Sequence, residues 1–142
     1  MSNSRIIRSS VPLLETLEPR LLLSGSVVIS EFMASNDTTI LDGSGNSSDW
    51  IELHNPTASP INLNGWFLTD KTGNLDKWEI PNLTLAAAGD PWGNDYLLIF
   101  ASGDDGWDGE YWHTNFTLDK GGENVLLVDD DMRTTFAVSR LL

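Results

Sequence analysis

A chain of 142 residues has the length of one domain, enough to bury a sizeable core. It contains no cysteine, which excludes a disulfide framework and a thiolate metal site. The net charge of −13 is unevenly placed: residues 1–25 carry +1 and the remainder −14, a surface that repels phosphate backbones, so nucleic-acid binding is not expected.

Residues 1–25 differ in composition from the rest. Arg5 and Arg8 precede a patchy apolar stretch, Val11 to Leu14, which Glu15 and Glu18 interrupt. A secretory signal needs an unbroken apolar core of roughly 7–15 residues, and this segment supplies none. Nor does any run approach the ~18 apolar residues of a membrane span. On composition the stretch reads as a disordered, weakly amphipathic leader, with the folded domain expected over 26–142.

From Val27 the sequence is a succession of short β-like runs. Val27 to Ala34 alternates, which predicts Val27, Ile29 and Met33 on one face together with Glu31. After a loop rich in Gly, Ser and Asn, Trp50 to His54 alternates again, with Ile51 and Leu53 on one face and Trp50, Glu52 and His54 on the other. Asn55-Pro56 ends that strand. Pro60 to Asp70 repeats the grammar. Lys71 to Asp76 is a polar turn, and a strand-like stretch runs from Trp78 through Leu85. Tyr96 to Ala101 and Glu123 to Val128 are continuous apolar runs, the mark of strands covered on both faces. Thr135 to Val138 is either a last strand or an irregular remnant. No segment keeps a 3.6-residue period, so helix should be nearly absent. The fold class is all-β, an antiparallel sandwich.

Candidate chemistry is sparse. His54 and His113 are too few for a histidine-built metal site, and no nucleophile motif accompanies them. Both read as hydrogen-bonded structural residues; an enzyme would need a pocket joining one of them to paired carboxylates. No catalytic residue is assigned. The acidic loop of Asp104, Asp105, Asp108 and Glu110 reads as solvated, with calcium as the alternative, because closely spaced Asp and Gly let backbone curl round an ion. Its spacing does not fit an EF-hand. A second set is Glu31, Asn36, Asp49, Glu52 and Asp70: if the first strands pair with one another, some of these carboxylates could meet near one end of the sandwich, with Asp49 and Asp70 the pair to check first. The competing reading is that Asn36, Asp49 and Asp70 cap turns. Of the aromatics, Trp50, Trp66, Trp78 and Phe116 are expected to be structural. Trp92, Trp107, Tyr111 and Trp112 fall in or beside Gly-rich segments. There they either cover an open sandwich end or present a binding surface, led by Trp107 and Trp112.

Several of these runs carry a resemblance. Ser30-Glu31-Phe32-Met33-Ala34-Ser35-Asn36, Asp49 to Pro56, Leu63 to Asp70, Trp78-Glu79-Ile80-Pro81, Tyr96 to Gly103, His113-Thr114-Asn115-Phe116 and Gly122 to Asp129 stand in the order of the bacterial branch of the lamin tail domain. The chain resembles that family over roughly residues 26 to 131. The resemblance implies an immunoglobulin-like β-sandwich, with Trp66 similar to the family's central core tryptophan. Leu17-Glu18-Pro19-Arg20-Leu21-Leu22-Leu23-Ser24 is similar to a short N-terminal motif of exported or surface proteins of certain bacteria. It implies a sorting or processing role and an exported or cell-surface location. Together these point to a non-catalytic interaction or adhesion module whose partner is a protein or a surface polymer. The alternative is carbohydrate or polymer binding through the loop aromatics, assisted by calcium; otherwise no cofactor is expected.

Overall fold

The computed structural model describes residues 26–34, 40–118 and 122–141. The leader over 1–25 and Asn36 lie outside the described residues. The described residues form eleven strands: β1 (Val28–Met33), β2 (Trp50–His54), β3 (Ile61–Asn62), β4 (Phe67–Thr69), β5 (Trp78–Glu79), β6 (Thr84–Leu85), β7 (Tyr96–Phe100), β8 (Gly106–Trp107), β9 (Trp112–His113), β10 (Gly122–Val128) and β11 (Thr134–Leu141). The described residues form no helix.

These strands make two facing sheets. One has the order β1-β2-β7-β9-β8 and the other β11-β10-β4-β5, while β3 and β6 form a separate ribbon. Every pairing is antiparallel except the short β7–β9 pair, which is parallel. The alternation of β2 is what orients the first sheet. Ile51 and Leu53 are fully buried in the core, paired with Ile99 and Leu97 of β7. From the second sheet Leu68, Val125, Leu127 and Phe136 meet them, joined by Trp66, Trp78, Ile80 and Phe116. Each fully buried Leu or Ile side chain contributes roughly 1.5–3 kcal/mol relative to exposure. The segment left open as strand or remnant is strand: β11 pairs along β10 and lies beside β1 at one margin of the sandwich.

The alternation expected along β1 fails midway. Its register with β2 shifts between Ile29 and Glu31, a bulge that leaves Ser30 without an opposite partner. Beyond it the faces exchange. Phe32 packs against the core opposite Ile51, and Ala34 is buried there, whereas Met33 pairs with Trp50 outside the core cluster. One extra residue moves every later side chain to the other face, which a strict period of two cannot anticipate.

Asn55, just past β2, is fully buried and fully bonded. Its Nδ2 donates to the carbonyls of Ser59 and Ala86 at 2.8 and 2.9 Å, and its Oδ1 accepts from the amide and hydroxyl of Thr57. The Asn-Pro step that ends the strand therefore also ties two loops together.

Candidate functional site

The outer face of the first sheet carries a second buried cluster. Parallel pairing of β7 with β9 sets His113 beside Phe100, and the β8–β9 hairpin sets Trp107 beside Trp112. The rings of His113 and Phe100 stack at 5.6 Å, and Tyr111 meets Phe100 edge-on at 5.0 Å. Trp50, opposite Phe100, is buried on this face, and its Nε1 has no hydrogen-bond partner.

At the centre lies a chain of polar groups. Asp108 Oδ1 accepts the amides of Glu110 and Tyr111, each at 2.8 Å, which closes the turn between β8 and β9. Its Oδ2 accepts the Gly43 amide at 2.8 Å and meets His113 Nε2 at 2.7 Å. Burial works to raise the Asp108 carboxyl, but the bond from His113 and the amides of Tyr111, Glu110 and Gly43 outweigh it and hold the carboxyl well below the ordinary carboxylate range. An ionised carboxylate only accepts, so the ring proton sits on Nε2. In the neutral ring Nδ1 then accepts from Ser102 Oγ at 2.7 Å, and that oxygen in turn accepts the Asp104 amide at 3.0 Å. Asp42 completes the group: its Oδ2 stands 3.9 Å from His113 Nε2. Burial, followed by the charge of Glu110, pushes the Tyr111 phenol up.

Beside this cluster opens a cavity of about 90 Å³, lined by Asp104, Asp105, Trp107, Asp108 and His113 with Ser44 and Gly106. Trp107 is 55 % exposed and leans on Trp112, ring centroids 5.2 Å apart and tilted by 52°. Trp112 is half-buried and packs against the core. Asp105 holds a left-handed backbone conformation, φ 55°, and accepts the Trp78 indole N–H at 3.0 Å, which links the margins of the two sheets.

The four acidic residues of the loop are therefore unequal. Asp108 is central, Asp104 lies 4.0 Å from His113 Nδ1, Asp105 serves Trp78, and Glu110 is exposed beside Tyr111. Asp49 and Asp70 do not come together: Asp49 precedes β2 of one sheet, while Asp70 follows β4 of the other and pairs with Lys77 at 2.7 Å. Trp92, 83 % exposed, sits in the turn before β7, away from Trp107 and Trp112 beside the strand's other end. Tyr111 belongs to the buried outer face. Asp42 and Ser102 were missed in the sequence. An Asp-Gly-Ser-Gly turn gives no sign of which distant strand it will meet.

Neither histidine is isolated from carboxylates. His54 pairs with buried Asp95 at 3.0 Å and stacks on Tyr96 at 4.1 Å. The order Ser102, His113, Asp108 is that of a nucleophilic triad with the ring nitrogens exchanged. However, the imidazole is only 3 % exposed against Phe100, and the described cavity does not include Ser102 in its wall. What this arrangement does as it stands is pin the loop after Ile40 to the β8–β9 hairpin.

A comparison with curated proteins found no match. The family model described as Lamin Tail Domain matches residues 23–140. That match spans most of the length and agrees with the helix-free double sheet, so the chain belongs to the lamin tail domain family, whose immunoglobulin-like fold is a non-catalytic type of module generally used for protein interaction.

Proposed function

We propose that this domain is a non-catalytic interaction module of an exported or surface-associated bacterial protein, and that it binds a protein partner through the margin formed by β8. The observation that carries the reading is Trp107: a large ring more than half exposed, on an edge strand, braced by Trp112 and rimmed by Asp104, Asp105 and Asp108. An anchored aromatic with little side-chain freedom to lose is the usual centre of a binding surface. The acidic rim and the net charge of −13 favour a partner segment bearing Lys or Arg, which the ring face also attracts. The same charge disfavours nucleic acid. Among the described residues no helix is long and apolar enough to cross a membrane. The exported location rests on the likeness of Leu17 to Ser24 to a bacterial surface-protein motif.

Sugar stacking is the second reading, favoured by the exposure of Trp107 and Trp92 but weakened by their separation and by the tilt between Trp107 and Trp112. Equilibrium binding of wild type and Trp107→Ala to separated protein and polysaccharide fractions of a bacterial envelope distinguishes the two. Wild type should bind the protein fraction, more weakly as salt rises, and the variant should lose at least tenfold. Retention on polysaccharide alone would put the sugar reading first, and equal binding by the variant would remove Trp107 from the surface.

A further inference from the structure

The geometry points to a binding site for a divalent transition-metal ion, zinc in type, formed by Asp42, Asp108 and His113; we propose it as a property separate from partner binding. One carboxylate oxygen from each aspartate and a ring nitrogen of His113 all lie within 4.8 Å of one another. The turn amides of Ser44 and Asn46 both go to Asp42 Oδ1, at 2.9 and 3.0 Å. That turns Oδ2 of a side chain only 2 % exposed toward His113 Nε2, across 3.9 Å. Two carboxylates that are both largely buried thus converge on one imidazole nitrogen, and a cation held between them would offset the cost of burying like charges together.

The donor set selects the cation. Calcium and magnesium take oxygen ligands, whereas an imidazole nitrogen with two carboxylates suits zinc or a neighbouring first-row ion. With bonds of about 2.0–2.2 Å, ligands round a tetrahedral zinc stand roughly 3.3 Å apart. The existing separations from Nε2, 2.7 Å to Asp108 and 3.9 Å to Asp42, bracket that value. One contact would open and the other close by about half an ångström, a rotamer-scale movement. Supporting groups are already in place: Ser102 Oγ on His113 Nδ1, and the Glu110 and Tyr111 amides on the second oxygen of Asp108. The cavity walled by Asp108, His113 and Trp107 gives access and room for a water ligand, whose share of liquid volume is about 30 Å³. In the metal-free protein the Nε2 proton bridges to Asp108; the ion replaces it, and the proton leaves to solvent.

The test is calorimetric titration of the full chain with zinc, with cobalt as a spectroscopic substitute and the His113 ring nitrogen shifts followed by NMR. One saturable zinc site is expected, with a tetrahedral cobalt spectrum and a shift at Nε2. Asp42→Asn keeps an acceptor for both turn amides and should fold, yet weaken zinc at least tenfold. Ser102→Ala, acting through the imidazole, should weaken it about 10–100-fold. The proposal is overturned by no saturable zinc binding up to millimolar, by an unmoved Nε2 signal, by unchanged affinity in folded Asp42→Asn, or by calcium binding in preference to zinc.

Discussion

Gly43 and Asp108, 65 residues apart in sequence, are joined by a 2.8 Å hydrogen bond that only a glycine permits. A β-carbon at position 43 would stand 2.7 Å from the Asp108 carboxyl carbon, and its nearest neighbour would be a carboxylate oxygen. That oxygen is held by turn amides and has no free direction in which to withdraw. Gly43→Ala should therefore cost about 1–3 kcal/mol as an overpacked contact. Urea denaturation measures the loss, and Trp107 emission should shift as the hairpin moves.

Two tryptophans invite the same substitution with different outcomes. Trp50 Nε1 is buried without a partner, whereas Trp78 Nε1 donates to Asp105. Replacing either by Phe leaves a small cavity, but only Trp50→Phe also removes an unsatisfied buried donor, itself a cost of about 1–3 kcal/mol. Trp50→Phe should be close to neutral, and Trp78→Phe less stable than it by about 1–2 kcal/mol. Parallel thermal melts of the two variants check the difference.

Asn55 should tolerate neither truncation nor charge. Asn55→Ala removes the side-chain donor to the Ala86 carbonyl and the acceptor of the Thr57 amide, leaves the Ser59 carbonyl only the Thr57 hydroxyl, and is expected to cost about 2–3 kcal/mol. Asn55→Asp retains the bonds from Thr57 but turns an acceptor toward both carbonyls, so it should cost at least as much. Matching wild-type stability in Asn55→Asp would show that Asn55 has little hold on these loops.

Acid stability should depend on Asp95. Burial works to raise its carboxyl, but the Gly89 amide and the hydrogen bond and charge of His54 outweigh it, and the pKa lies below the ordinary value. A depressed folded-state pKa stabilises the protein fully above the unfolded value of about 3.9, and the contribution is lost as pH falls through the folded value. Asp95→Asn should flatten stability against pH in that acid range. Denaturation curves from mildly acidic pH downward check this.

Ser102 is expected not to react with a fluorophosphonate probe. Its Oγ is hydrogen-bonded to His113 Nδ1 and to the Asp104 amide, and the imidazole behind it is buried against Phe100. Labelling of wild type that disappears in Ser102→Ala would instead make the Ser102-His113-Asp108 chain a nucleophilic one.

Much of this protein is written in local pattern. The alternation of Trp50 to His54 is enough to send Ile51 and Leu53 inward, and the Tyr96 to Ala101 run is enough to announce a strand whose end is covered on both faces. Patterning of this kind is local because a strand's period is set by its own backbone. What the sequence alone did not decide is which distant groups meet. The Ser30 bulge exchanged Phe32 for Met33 on the core face, because one unpaired residue resets a period of two. The acidic residues close in sequence dispersed to separate tasks. Asp108 found Gly43, Asp42 and His113 only because parallel pairing of β7 and β9 brings the hairpin under the loop after Ile40. Hydrogen bonds and ion pairs act over a few ångströms, so their partners are chosen by strand register and loop closure, which exist only in the folded chain.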